Sequence, residues 1–94
     1  LFLRNGKWND QQLISEGWVK SVQKSSQAKS DYGYLWWNNS QESCDGVSKE
    51  VYYAAGFGGN FNIIDEANDL VIVTRWIDIS KFDDLVRLVQ KSIK

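Results

Sequence analysis

Two serine–lysine pairs have the SxxK spacing at which a lysine can activate a serine nucleophile. They are the strings Ser21–Lys24 and Ser26–Lys29. A serine hydroxyl attacks a carbonyl efficiently only when a nearby base removes its proton. The first string falls at the end of a predicted helix and the second in the polar linker Lys24–Ser30, in a chain rich in both residue types. We therefore expect neither serine to be a nucleophile.

Histidine is absent and there is one cysteine, Cys44. Without histidine, His-dependent triads and most zinc sites are excluded within this chain. A single cysteine also excludes an internal disulfide and a CxxC site. No activating base is recognisable around Cys44, so we expect an inert loop thiol. The sequence predicts no metal site and no cofactor.

The charges of the chain nearly cancel, with 11 Lys and Arg against 12 Asp and Glu and a formal net charge of −1. There is no basic footprint, so nucleic acid is not an expected partner. No apolar run approaches the roughly 18 residues of a membrane span, and no signal peptide is visible, which leaves bacterial cytoplasm and periplasm both open. The 94 residues, 43% of them hydrophobic, predict one globular domain over 1–94.

A glycine cluster, Gly56-Phe57-Gly58-Gly59, is the next candidate for chemistry. A dinucleotide-binding loop needs GxGxxG at the start of a helix, but the last of those positions is Phe61 and a strand follows. Two interpretations stay open. The glycines either allow a bend or bulge at a strand end, or keep the backbone bare so that a ligand can approach it.

Three predicted strands position this cluster: Val51–Ala55, Asn60–Ile64 and Leu70–Trp76. Asp65–Asp69 is the turn of an antiparallel hairpin formed by the last two. The uninterrupted run Leu70-Val71-Ile72-Val73 is typical of a strand that is buried on both faces. Ser80 then caps a predicted helix that runs to the C-terminus, with an apolar face formed by Phe82, Leu85, Val86, Val89 and Ile93.

Upstream, residues 1–6 predict the last turn of a helix with Gly6 as its left-handed cap. Asn9-Asp10 indicates a tight turn between two small strands. Ser15 caps a predicted helix that reaches about Gln23, with Trp18, Val19 and Val22 on one apolar face. Tyr32–Asn38 has the composition of one strand with large apolar residues on both faces, so we expect both faces to be covered.

Several of these segments, taken together, resemble the C-terminal part of serine β-lactamases and penicillin-binding-protein-like hydrolases, particularly the class C and esterase-like branch. Lys7-Trp8-Asn9 after Gly6 resembles that family's NGGKWNGK segment, and Leu13–Val19 its LLSPEWV helix. Tyr32-Gly33-Tyr34-Leu35-Trp36 resembles its YGYGW strand. Tyr53–Gly59, Ile63-Ile64-Asp65 and Asp69–Val73 resemble the strands that follow. The four matches occur in the family's order and spacing and cover most of the chain.

The resemblance implies a serine hydrolase site made of SxxK, a YxN or SxN element, and a third motif, K/H-T/S-G, on a strand that lines the site. The third motif falls on Ala54-Ala55-Gly56, and the next residue, Phe57, would donate its backbone N–H to the oxyanion hole. Ala54 and Ala55 replace the polar motif residues, so neither can hold a substrate carboxylate. YxN and SxN occur nowhere in the chain, and the nucleophile is expected to be absent.

The sequence therefore predicts an α+β fold: a short antiparallel sheet, made of a three-strand meander and an upstream strand, packed by the C-terminal helix. In the family, N-terminal strands beside the last strand and a helical domain with the nucleophile complete the structure. Without them, Leu70–Trp76 is expected to present an unpaired apolar edge and to be covered in a homo-oligomer, a two-fold dimer.

Three functional hypotheses follow. The chain is the C-terminal portion of a β-lactamase-like hydrolase that supplies one wall of the site and is inactive alone, or a free-standing ligand-binding or self-associating module derived from such a gene. The least favoured is an active small hydrolase that uses Ser21 or Ser26. The aromatic residues also admit a sugar-binding platform at Trp36, Trp37 or Trp76, although aromatics on strands are more often core.

Overall fold

The computed structural model describes residues 1–41 and 44–93, which form two antiparallel sheets and two α-helices. The elements in chain order are β1 (Lys7–Trp8), β2 (Gln11–Gln12), α1 (Glu16–Val22), β3 (Tyr32–Gly33), β4 (Trp36–Asn38), β5 (Tyr52–Gly56), β6 (Asn60–Asp65), β7 (Leu70–Thr74) and α2 (Phe82–Ser92). β1 and β2 form a hairpin, and β3 to β7 form one meander in which each strand pairs with the next. The predicted α+β class, with its antiparallel sheet and C-terminal helix, is confirmed.

The segment predicted as one strand over Tyr32–Asn38 is a β-hairpin. Tyr32 pairs with Trp37 and Gly33 with Trp36, and the chain reverses at Tyr34 and Leu35, which have φ of 49° and 73°. The prediction of two covered faces is also wrong, because Tyr34 is 62% and Leu35 78% exposed at the tip.

One face of the larger sheet packs against α2. Phe61 and Ile63 of β6 contact Phe82 and Val86 of α2 in a core cluster that also contains Val51. The Phe61 and Phe82 rings meet edge to face, 4.8 Å between centroids. Aromatic pairs of this geometry add to the stabilisation from buried area. The core therefore lies between the sheet and its C-terminal helix.

The opposite face of the sheet is covered at only one end. Tyr52 and Ile64 pack there against Val22 of α1, and Phe2 and Trp36 border this second cluster. Further along the same face the sheet is open. Val71 is 49% and Val73 65% exposed, so the prediction that Leu70–Val73 is buried on both faces is wrong. β7 is the edge strand of the sheet in the described chain, and its apolar side chains alternate between the core and this open face.

The helix starts follow local hydrogen bonds. The Ser15 hydroxyl accepts a bond from the Trp18 N–H (3.1 Å), which confirms Ser15 as the cap of α1. Ser80 does not cap α2, which begins after Lys81 without a side-chain cap. Asp78 instead caps the 3-10 turn over Ile79–Lys81 that precedes the helix, where its carboxylate accepts from the Ser80 N–H (3.0 Å). Asp is the stronger acceptor, so it takes the capping role. Lys94, predicted near the far end of this helix, lies outside the described residues.

At the N-terminus, the predicted last helical turn is a 3-10 turn over Phe2–Arg4. Asn5 ends it with φ of 54°, one residue before the predicted cap Gly6. The predicted turn at Asn9-Asp10 is present between β1 and β2, with positive φ at both residues. None of the helices in the described part of the chain has the length and apolar character needed to cross a membrane.

Candidate functional site

β5 continues past the last residue with which β4 pairs. β4 pairs with β5 only at Tyr52 and Tyr53, whereas β6 pairs with it through Gly56. Within the described chain, Ala54–Gly56 therefore have a strand neighbour on one side only. The Val51 carbonyl accepts from the Asn39 N–H on the β4 side (3.2 Å). Since successive residues of a strand alternate in direction, the backbone groups of Ala55 point to this unpaired side as well. We call Ala54–Gly56 the free edge of β5.

Phe57 directly follows the free edge, as the first residue of the turn to β6. Its ring is 95% exposed, so the residue is not held by packing of its side chain. Its carbonyl accepts a hydrogen bond from the Asn60 side chain (2.7 Å), and its N–H meets no acceptor within the described residues. The predicted oxyanion donor is therefore a turn residue whose backbone N–H is unused among the described residues.

The glycine cluster contains two positions where the backbone requires glycine and one where it does not. Gly58 and Gly59 have φ of +86° and +81°. A Cβ at Gly58 would lie 2.2 Å from the Trp76 ring, and one at Gly59 would lie 1.9 Å from the Ile77 carbonyl oxygen. Those two positions require glycine, as the bend interpretation predicts. Gly56 is different, because its φ is not positive and a Cβ would meet only Asn60, at 3.6 Å.

The free edge borders a shallow concavity of about 470 Å³ on the open face of the sheet. Its lining includes Ala54 and Gly56 of β5, Asn60 and Asn62 of β6, and Val73, Arg75 and Trp76 of β7 and its continuation. Ala54, Asn62 and Val73 form one row across the three strands. The wall therefore consists of small and apolar groups with a few polar ones, which is the usual make-up of a ligand site.

The predicted substrate-binding residues do not all lie on the same face of the sheet. Ala54 and Gly56 lie on the row of the open face, while Ala55 pairs with Phe61 and so directs its methyl group to the α2 face. Only the backbone of Ala55 can take part in the site. With alanine at both positions, β5 offers a ligand backbone groups and methyl surface, and no charged or hydroxyl side chain.

The two SxxK pairs are not assembled as serine–lysine pairs. The Ser21 hydroxyl donates to the Gly17 carbonyl inside its own helix (2.9 Å). The Ser26 hydroxyl accepts from the Lys29 backbone N–H (3.1 Å), while the Lys29 ammonium pairs with Asp31 (3.1 Å). Neither hydroxyl has a lysine Nζ within hydrogen-bond distance in the described part of the chain. That neither serine is a nucleophile stays a prediction.

Cys44 lies in a loop, as predicted, and its side chain is buried in the core. It is 7% exposed in the cluster under α2, and its N–H donates to the Asn39 side chain (2.9 Å). The hydroxyl of Tyr53 lies beside it. Burial, together with Cys44, raises the pKa of Tyr53 above its ordinary value. Packing in the core therefore determines the position of the Cys44 thiol, which is predicted to be inert. Among the residues described, no group of three His, Cys, Asp or Glu side chains is arranged to hold a metal ion.

Arg75 and Trp76 complete the concavity. Trp76 was considered in the sequence only as part of a possible sugar-binding platform, and Arg75 was not a candidate. Trp76 has φ of 58°, and the Asn60 side chain accepts its N–H (3.2 Å). Asn60 thus bonds both the Phe57 carbonyl and the Trp76 amide, and so joins the glycine turn to the end of β7. The one sequence pattern that points to this side of the concavity is the alternation of polar and apolar residues in Asn60–Ile64. It places Asn60 and Asn62 on the same face of the strand.

Comparison of the chain with protein-family models, with curated proteins and with solved structures found no match.

Proposed function

We propose that this chain is the C-terminal portion of a β-lactamase-like serine hydrolase, in which it supplies the oxyanion strand and one wall of the active site. The observation that carries the proposal is the free edge of β5, which ends at Phe57, whose backbone N–H meets no acceptor among the described residues. The residues of this edge, Ala54–Gly56, also line the open concavity. In the resembled family the same position, directly after the third-motif glycine, holds the backbone donor of the oxyanion hole.

The mechanism assigned to this wall is electrostatic. When a nucleophile attacks an ester or amide carbonyl, negative charge develops on the carbonyl oxygen. A preorganised N–H directed at that oxygen stabilises the transition state more than the ground state. Phe57 suits this role because its backbone N–H meets no acceptor among the described residues, while the Asn60 side chain bonds the Phe57 carbonyl (2.7 Å) and so limits movement of the turn.

The nucleophilic serine and its lysine belong, in this proposal, to a segment outside these 94 residues. The positions of Ser21 and Ser26, each bonded within its own local turn, support that division. The alanines of β5 restrict the class of substrate on which the proposed hydrolase could act. Ala54 and Ala55 cannot bind the carboxylate that the K-T-G motif binds in β-lactamases, so acyl transfer from an ester is favoured over β-lactam hydrolysis.

A self-associating module is the second candidate, and the edge strand β7 favours it. Leu70–Thr74 contains no charged residue and no proline, and Val71 and Val73 are exposed beside an edge that has no strand neighbour in the described chain. Natural proteins protect such edges with lysine, proline, bulges or a covering element. A second copy of the chain, or the N-terminal strands of a complete fold, would pair with this edge.

The first test is a chromogenic ester assay on the purified 94-residue chain, with p-nitrophenyl butyrate. We expect no turnover above the buffer rate, and no difference between the chain and its Ser21→Ala and Ser26→Ala variants. Turnover that either substitution abolishes would overturn the proposal in favour of a complete small hydrolase. The reading frame upstream of Leu1 provides the complementary test. An in-frame SxxK and YxN segment supports the proposal, and a start codon immediately before Leu1 supports the free-standing module.

A further inference from the structure

Among the described residues, Arg75 differs from the other two arginines because no acidic side chain pairs with it. Arg4 forms an ion pair with Asp69, and Arg87 pairs with Asp84 and with Asp45. Arg75 makes no ion pair or hydrogen bond within the described residues, although it lines the concavity. A guanidinium carries five N–H donors in a planar fork that matches a carboxylate. Its donors are therefore available to a ligand.

In the described part of the chain, the concavity offers a second free donor, and its lining holds no other charged side chain. Asn62, in the row beside it, is exposed and its amide makes no hydrogen bond in the described chain. The other amide of this face, Asn60, is fully engaged by Phe57 and Trp76. Arg75 is the one charged residue among the described residues that line the concavity. A single positive charge beside an unused amide favours a ligand with one negative charge.

Trp76 supplies an apolar surface next to that charge. It adopts the left-handed conformation, with φ of 58°, which is uncommon for a bulky aromatic residue. Its conformation is held from two sides, by the Asn60 side chain bonded to its N–H and by the bare backbone of Gly58 against its ring. The ring is nevertheless 68% exposed. Strained residues that are held in place in this way are concentrated at ligand sites.

We propose that the concavity binds a substrate that carries a carboxylate next to a planar apolar group, with Arg75 and Asn62 holding the carboxylate and Trp76 contacting the planar group. The anchor is then on β7 and not on β5, where Ala54 has no polar atom. Phe57 is not among the residues that line the concavity, so this inference does not depend on the proposed oxyanion role. Its binding step needs no nucleophile, so it can be tested on this chain alone.

The test is an NMR titration of the isotope-labelled 94-residue chain with phenylacetate, and with the neutral phenylacetamide as the matched probe. We expect phenylacetate to shift the Trp76 indole, Asn62 amide and Ala54 amide signals, and phenylacetamide to bind about tenfold more weakly. Added salt should weaken phenylacetate binding and leave phenylacetamide unchanged. Arg75→Gln should lower the phenylacetate affinity about tenfold, and Asn62→Ala about threefold.

Arg4→Gln is the control variant, because Arg4 is an exposed arginine that already has the partner Asp69. It should bind phenylacetate with unchanged affinity. Equal binding of the two probes, loss of affinity in Arg4→Gln as large as in Arg75→Gln, or no shift of the Trp76 indole at saturating phenylacetate would each overturn the inference. Because the NMR titration measures binding, a negative result in it would leave the ester assay and the oxyanion proposal standing. An unexpected result in the ester assay would likewise leave the binding result interpretable.

Discussion

Asp65 shows at the scale of a single residue how the site wall is held in place. Its carboxylate is 1% exposed and accepts hydrogen bonds from the Asn68 N–H (3.2 Å), the Asn68 side chain (2.9 Å) and the Gln90 side chain (2.7 Å). These bonds join the turn between β6 and β7 to α2. A buried carboxylate is tolerated because its oxygens are bonded.

We predict that Asp65→Ala lowers the free energy of unfolding by about 1–3 kcal/mol, because the Gln90 and Asn68 donors lose their acceptor in a buried place. Urea denaturation followed by circular dichroism measures the change. Asp69→Asn, in the same turn, is the control: it removes only an exposed ion pair with Arg4 and keeps a residue that tolerates the local φ of 55°. An equal loss in both variants would contradict this role for Asp65.

Tyr52 gives the chain a defined response to alkaline pH. Its side chain is buried, and its hydroxyl has no hydrogen-bond partner in the described chain. Burial and the nearby Glu66 carboxylate raise the pKa of Tyr52 above its ordinary value. A raised pKa in the folded state means that the unfolded chain releases its proton first. Stability is then fully present below about pH 10, the ordinary tyrosine pKa, and falls as pH rises above it.

We predict that Tyr52→Phe shifts the alkaline unfolding midpoint to higher pH, because the variant has no hydroxyl to ionise at this buried position. The pH dependence of unfolding, followed by circular dichroism, measures this shift. Tyr34→Phe, at the exposed hairpin tip, is the control and should leave the midpoint where it is. A midpoint that moves equally in both variants, or in neither, would show that Tyr52 does not control alkaline unfolding.

At the scale of elements, the turn between β5 and β6 carries both a folding requirement and a candidate function. The close approach of Gly59 to the Ile77 carbonyl, with the Ile77 N–H donating to the Gly59 carbonyl (3.3 Å), fixes the turn against the end of β7. We predict that Gly59→Ala destabilises the chain by more than about 2 kcal/mol, through the left-handed conformation and the contact with backbone.

Gly56→Ala is the matched substitution in the same turn region. Its Cβ has room, and replacing glycine within a strand reduces the entropy of the unfolded chain, so stability should stay constant or rise by up to about 1 kcal/mol. Thermal unfolding of the two variants distinguishes the positions. Equal losses would mean that the fold, and not an approaching ligand, requires glycine at position 56.

The turns also explain how much of the fold could be predicted from the sequence. Asn9-Asp10 was recognised because these residue types tolerate the left-handed conformation. The same kind of reversal at Tyr34-Leu35 was missed, because a tyrosine and a leucine with positive φ give no turn signal. Strands β5 to β7 were predicted near their observed positions by alternation and by the glycines and acidic turn between them. Burial of β7 was predicted wrongly, because its place at the sheet edge depends on which neighbours are present.

The candidate site was predictable only as far as it consists of backbone. Ala54, Gly56 and Phe57 could be placed on one strand and its turn from their order in the chain. Trp76 and Arg75 could not, because their approach to that strand depends on two tertiary contacts, the bridge through Asn60 and the packing of the Trp76 ring on Gly58. Contacts of that kind leave no local pattern in the sequence.

At the scale of the whole molecule, the sheet has one protected face, one half-covered face and an uncharged edge at β7. We expect the 94-residue chain to form a two-fold dimer through that edge at micromolar concentration. Val71→Lys should yield a monomer, because a charge beside the edge strand opposes pairing. Light scattering measures the mass. Leu88→Lys, at an exposed apolar position on α2, is the control and should remain a dimer. A monomeric mass for the unmodified chain would contradict the prediction.

Ester hydrolysis by the longest reading frame that contains these 94 residues, compared between Phe57→Pro and Phe57→Ala, measures whether the Phe57 N–H stabilises an oxyanion. Proline removes the backbone N–H and alanine keeps it. We predict hydrolysis of p-nitrophenyl butyrate by the unmodified protein, a loss of about 100-fold to 1000-fold in Phe57→Pro, and near-normal turnover in Phe57→Ala. Absence of hydrolysis by that protein, or full turnover in a folded Phe57→Pro variant, would contradict the assignment of this strand to an oxyanion hole.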